Sequence, residues 1–198
     1  MHEKNKRERS YWSIKNDMQI EKDKIENILI IKFKGLGDIL LAQPAIRAVK
    51  ESFTGANVTL LINEEAYDIM SGSNIVDEII CFNKKEVKGL TGNIKFINEI
   101  RKKKFNMVID LYGNPRSALL ALLSGAKYKV GMTHRFRQHC YNIKIKGKEG
   151  VEYVLEQNLE ALKNIGAETS NKNMQIIIPE DAKKYIDDFL SKNSLKGK

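Results

Sequence analysis

The sequence predicts an α/β fold on a doubly wound, mainly parallel sheet of the Rossmann-like kind. Three observations lead there. Short β-branched runs, the first at Ile28-Leu29-Ile30-Ile31, are continuous rather than alternating, as in strands buried on both faces. Segments with helical spacing separate these runs, so successive strands need crossovers rather than hairpins. A glycine turn follows the first run directly, where such sheets present ligand loops.

Residues 1–25 mix both signs of charge with little periodicity and read as a poorly ordered extension, with Tyr11, Trp12 and Ile14 as its apolar residues. The first strand, 28–31, leads into a helix over 39–53, which Pro44 should kink or restart. Residues 58–62 and 78–82 are strands flanking a short helix at 65–70. Ile94, Phe96, Ile97 and Ile100 give 94–104 an amphipathic helical period. Residues 107–111 form a fourth strand, 114–123 a largely apolar helix and 128–130 a brief strand, with 141–145 extended. Val154, Leu155, Leu159 and Leu162 place a helix over 151–165, stopped by Gly166. A late strand is expected at 174–178, and a helix from Pro179 to about residue 190.

The chain has 198 residues, 42% hydrophobic and 30% charged. That is enough apolar content for a core and excludes wholesale disorder. A net charge of +9 favours acidic partners. Cys81 and Cys140 are too few for a disulfide framework and read as buried thiols. Residues 1–24 are too polar for a secretory signal, and the most apolar stretch, 28–46, is broken by Lys32, Lys34 and Asp38, so no transmembrane helix is expected. The expected location is the cytoplasm.

Gly35 and Gly37, in Lys32-Phe33-Lys34-Gly35-Leu36-Gly37-Asp38, are expected to allow positive φ and close backbone approach before a helix start that suits an anion. A dinucleotide site, the mark of an oxidoreductase domain, lacks its third glycine, since Leu40 stands there, and Asp38 would repel a pyrophosphate. Two roles stay open for Asp38 on local grounds: a helix cap, the commoner case, or a carboxylate that takes a proton from a substrate hydroxyl.

Four blocks then share one pattern. They are Lys32 to Pro44, with Leu36-Gly37-Asp38; Asp110-Leu111-Tyr112-Gly113-Asn114-Pro115-Arg116-Ser117-Ala118-Leu119-Leu120; Tyr128-Lys129-Val130-Gly131; and Glu156-Gln157-Asn158-Leu159 through Gly166. In this order and spacing they resemble the lipopolysaccharide heptosyltransferases, glycosyltransferase family nine, over roughly residues 27–180. The resemblance implies the N-terminal, acceptor-binding half of a GT-B glycosyltransferase. It implies an inverting transfer without a metal, from a nucleotide sugar such as ADP-heptose, with Asp38 as general base. Lys34, Gly35 and Tyr153 depart from the residues usual in the family. Lys198 falls about where the donor domain would begin, so the expected layout is an extension at 1–25, an acceptor domain at 26–180 and a lead at 181–198 toward a donor domain. A non-catalytic glycan- or lipid A-binding module, or the remnant of a truncated gene, is the alternative.

Between Leu111 and Lys148 there is no acidic residue. Most of the basic residues there read as solvated surface, but Arg116, Arg135 and Arg137 fall where strand ends meet the cleft. With Lys32, Gly35, Gly37 and Asn114 they are the expected substrate-binding residues, suited to an anionic acceptor of the lipid A and Kdo type. The basic field also suits the anionic inner face of the cytoplasmic membrane. Nucleic acid is not expected, because no helix-turn-helix, zinc-ligand or aromatic stacking motif is present. His134 and His139 lack partners for a metal site.

Overall fold

The protein was analysed as a computed structural model, which describes residues 19–33, 35–132, 135–145 and 153–193. The apolar runs become strands β1 (Asn27–Ile31), β2 (Asn57–Asn63), β3 (Glu78–Phe82), β4 (Met107–Asp110), β5 (Tyr128–Met132) and β6 (Ile143–Ile145). Helices α1 (Leu36–Ser52), α2 (Tyr67–Met70), α3 (Gly89–Lys102), α4 (Pro115–Leu123), α5 (Val154–Lys163) and α6 (Glu180–Lys192) complete the order. The strands form one sheet, β3-β2-β1-β4-β5-β6, and every pairing is parallel. The fold class expected from the sequence is therefore observed.

β1 shows why a continuous apolar run is needed. Ile28 and Ile30 pack on one face with Ile39, Ile46 and Val49 of α1 and Leu155, Leu159 and Leu162 of α5. Leu29 and Ile31 pack on the other with Phe96 and Ile100 of α3 and Leu120 of α4. Side chains alternate across a strand, so only a run apolar at every position fills both layers. The order reverses at β1, whose neighbours are β2 and β4, and this makes a crevice at their carboxyl ends.

Several elements differ from expectation. α1 begins three residues early, at Leu36, and continues through Pro44 as one helix. α3 begins at Gly89 rather than 94, because its first turn carries no buried apolar residue to mark it. Residues 174–178 are not a strand. Two side chains of α1 capture the backbone here instead. Gln43 Nε2 donates to the Gln175 carbonyl and its Oε1 accepts from the Gln175 N–H, each at 2.7 Å. Arg47 Nη1 donates to the carbonyls of Asn171 and Asn173 at 2.9 and 2.8 Å. These bonds tie the segment to α1 instead of to a sheet edge, and Ile176, Ile177 and Ile178 stay exposed. α6 buries no residue; Tyr185, Ile186 and Phe189 are exposed on it.

Residues 19–25, assigned from sequence to the extension, dock on the sheet layer. Ile25 is buried, Lys22 Nζ donates to the Gly166 carbonyl at 2.6 Å, and Glu21 accepts from Lys24 and Lys127. Hydrogen bonds from Lys24 and then Lys127 hold the Glu21 carboxyl down at about 2. Tyr11, Trp12 and Ile14 lie outside the described residues, as do Lys34, His134, Lys146, Lys148, residues 151–152 and the last five residues.

Candidate functional site

Two chain segments meet at the carboxyl edge of the sheet where the strand order reverses. One is the turn from β1 to α1. Here Gly35 is the N-cap of α1, in extended conformation with φ −62° and ψ 167°. Neither Gly35 nor Gly37 has positive φ, which corrects the reason the sequence suggested for them. A Cβ built at either would meet nothing within 4 Å. The glycines keep the space before the helix open rather than supporting an unusual turn. Asp38 lies in the first turn of α1, partly exposed, and its N–H donates to the Gly35 carbonyl at 3.0 Å. The positive end of the helix favours a carboxylate there.

The other segment is the turn from β4 to α4, built around a buried acid. Asp110 is fully buried at the end of β4. Its Oδ1 accepts from the N–H groups of Tyr112 and Gly113 at 2.9 and 2.8 Å, and its Oδ2 accepts from the Tyr141 hydroxyl at 2.7 Å. Burial pushes the Asp110 carboxyl upward, while its bonds from Gly113, Tyr141, Ser117 and Tyr112 pull it down. The single Ser117 proton is shared with the Asn114 carbonyl, 3.1 Å away. Gly113 has φ +66°, a conformation that favours glycine. Asn114 then caps α4: its side chain accepts from the Ser117 N–H at 2.7 Å, the Asn114 N–H donates to Ser117 Oγ at 3.0 Å, and Pro115 opens the helix. The carboxamide oxygen of Asn114 is thus already engaged once by the fold.

Lys32 joins the two segments. Only 4% exposed, it donates from Nζ to the Leu111 carbonyl at 3.0 Å. Its side chain is buried at the end of β1, where it meets the start of the β4–α4 turn. The Arg116 guanidinium lies over the Phe82 ring, 5.2 Å from the centroid. Arg137 is partly exposed near Tyr141 and works against the burial that, together with Asp110, raises the Tyr141 hydroxyl well above its ordinary value. Arg135 opens the short 3-10 segment ending at Cys140, and its side chain lies outside the described residues.

Sequence reasoning missed the pair formed by Asp110 and Tyr141. A usable signal was present: an isolated acid ending an apolar strand, followed by glycine three residues on. Gly131 belongs to the same assembly. A Cβ there would collide with the Tyr141 ring carbons, so β5 carries glycine to let this ring lie against the strand.

The parallel sheet and its flanking helices are those of solved glycosyltransferases. The crystal structure of a family 9 glycosyl transferase from Veillonella parvula superposes with a TM-score of 0.80 at 22% identity, covering 90% of this chain and 52% of that one. The Escherichia coli heptosyltransferase WaaC with ADP-2-deoxy-2-fluoro heptose gives a TM-score of 0.60 at 22% identity, over 75% of this chain and 50% of that chain. Lipopolysaccharide heptosyltransferase 3 of Escherichia coli is 22% identical over 153 residues, 72% of this chain and 44% of that protein. The profile of glycosyltransferase family 9 (heptosyltransferase) matches residues 93–194. The chain belongs to this family. The matched segment includes Asp110, Asn114, Arg116 and Arg137 but begins beyond Asp38. The chain spans 34–48% of the length of the curated relatives it matches.

Proposed function

We propose that residues 26–180 are the acceptor-binding half of a heptosyltransferase-like glycosyltransferase, with 181–198 leading toward a donor-binding part. The observation that carries this reading is the partly exposed carboxylate of Asp38 in the first turn of α1, beside the crevice where the strand order reverses. An acceptor hydroxyl set before Gly35 and Gly37 gives its proton to Asp38. Its oxygen bonds to the anomeric carbon of the donor while the bond to the nucleoside diphosphate breaks. The diphosphate leaves with the electron pair from the opposite face, and the configuration inverts. Arg116 and Arg137 hold anionic groups of the acceptor, and the buried charge of Lys32 adds to the field below them. Solved WaaC with an ADP-heptose analogue supports ADP-heptose as donor. With a Kdo- and lipid A-type acceptor the protein works at the inner membrane face; among the described residues no helix is long and apolar enough to cross a membrane.

The test is heptose transfer from ADP-heptose to a Kdo-terminated acceptor by the native protein, read as product mass. Asp38→Asn is expected to lower the rate at least ~100-fold, the scale of lost general-base catalysis, with the unfolding temperature unchanged. A rate near that of the wild type overturns the assignment. The alternative reading is a glycan-binding module that transfers nothing. Transfer by the 198-residue chain alone refutes that module.

A further inference from the structure

Next to the crevice, on the α3 and α4 side of the sheet, lies a cavity of about 360 Å³. That is within the ~300–1,000 Å³ of ordinary ligand pockets. Its floor is an aromatic cluster: Phe33 and Phe82 with ring centroids 4.9 Å apart, and Phe82 and Phe96 at 5.3 Å. Leu90 of α3 and Leu119 of α4 form its walls and are 77% and 49% exposed. Arg116 also lines it. Its guanidinium stacks on Phe82 and has no carboxylate partner among the described residues. Phe33 stands two residues before Gly35, and Arg116 is the second residue of α4. The cavity therefore opens next to the turns that build the candidate site.

An apolar cavity with one arginine beside an aromatic floor is complementary to an alkyl chain attached to an anion. Sugars need many hydrogen-bond partners, and these walls supply few. Water in such a cavity is readily displaced by methylene groups. The guanidinium donates forked hydrogen bonds to a phosphate or carboxylate. We propose that this cavity holds the alkyl chain of an anionic amphiphile, with Arg116 on its anionic group. The inference rests on the glycosyl-transfer reading in one respect only: it makes the acceptor an amphiphile whose polar part reaches the crevice.

The experiment is a calorimetric titration of the 198-residue chain with decyl phosphate below its micelle concentration. Ethyl phosphate and uncharged decyl maltoside are the controls, and methyl resonances of Leu90 and Leu119 report the place of binding. Saturable binding of decyl phosphate that shifts those methyls is expected. Arg116→Gln should weaken it roughly ten-fold, the scale of one charge-assisted hydrogen bond. Leu90→Glu should abolish it, since it puts a carboxylate at the mouth of the cavity. Leu90 is exposed in the first turn of α3, where an acid suits the helix, so this variant folds. Leu90→Met should bind as the wild type does. Ethyl phosphate binding as tightly as decyl phosphate overturns the proposal, as does binding that survives Leu90→Glu. Protein dimerisation that Leu90→Glu abolishes also overturns it, because a second copy then covers this face. Binding is read without any transfer step, so this proposal and the role of Asp38 fail independently.

Discussion

The hydroxyl of Tyr141 donates to Oδ2 of Asp110 at 2.7 Å, tying the residue just before β6 to the end of β4. The bond crosses over β5, and the ring reaches it only because Gly131 has no side chain. Three positions in two strands and a loop thus fix the turn that starts α4.

Gly131→Ala should destabilise the protein by about 1–3 kcal/mol through overpacking, and by more if the ring moves off Asp110. Urea unfolding measures this. With Tyr141→Leu already present, the same alanine should cost much less, giving a clear coupling in a double-mutant cycle. Additive effects would refute the steric account.

Asp110 should leave a signature in the pH dependence of stability. Burial raises its carboxyl in the folded state above the ordinary 3.8. The native state then holds a proton that the unfolded state has released. The stability this group contributes is complete below about 3.8 and falls as pH rises through the folded value. Asp110→Asn removes the titration. Relative to the variant, the wild type should therefore lose stability from about pH 4 upward. A difference between the two that stays flat across that range would refute this.

Gly35→Ala and Gly37→Ala should leave the fold intact, because neither position has positive φ and a Cβ meets nothing. Gly37→Ala, inside the helix, should even stabilise by about 0.5–1 kcal/mol. Acceptor affinity should fall in both variants, since the methyl enters the space before α1. Thermal unfolding together with acceptor titration separates the two effects.

Gln43→Ala should free the segment near Gln175 from α1. The variant loses both bonds to the Gln175 backbone. Hydrogen exchange at the Gln175 amide should accelerate sharply, while amides of β1 and β4 stay protected. Unchanged protection at Gln175 would show that the side chain does not hold the segment.

Most of the sheet was legible because burial on both faces leaves a plain mark in β1, β2 and β4, and the apolar run of the edge strand β3 was also found to the residue. The strand expected at 174–178 failed for a physical reason. Its isoleucines carry the propensity of a strand, but the sheet edge was not its partner: the buried Gln43 of α1 took both backbone bonds of Gln175, and Arg47 held the carbonyls of Asn171 and Asn173 just before it. That capture depends on tertiary geometry and has no local signal. The start of α3 was hidden because Gly89, Leu90 and Thr91 bury nothing. At the site, the importance of the two glycine turns could be read, but not their conformations. Gly35 and Gly113 look alike in sequence, yet only Gly113 has positive φ. The capping role of Asn114 was not read from the sequence, which does not show that its oxygen is held by the Ser117 N–H.

The placement of β1 at the centre of the sheet also governs how the chain matures on the ribosome. Ile28 pairs with Met107 and Ile31 with Asp110, so β1 must wait for β4, synthesised well after it, before its second edge is closed. Until then the nascent chain can assemble only β1, β2 and β3, with the β4-facing edge of β1 bare. Such distant pairing slows folding and leaves an unpaired edge open to aggregation during synthesis. A translational pause before residue 107 would lengthen that exposure, whereas a pause after residue 110 would let the sheet close from its centre outward.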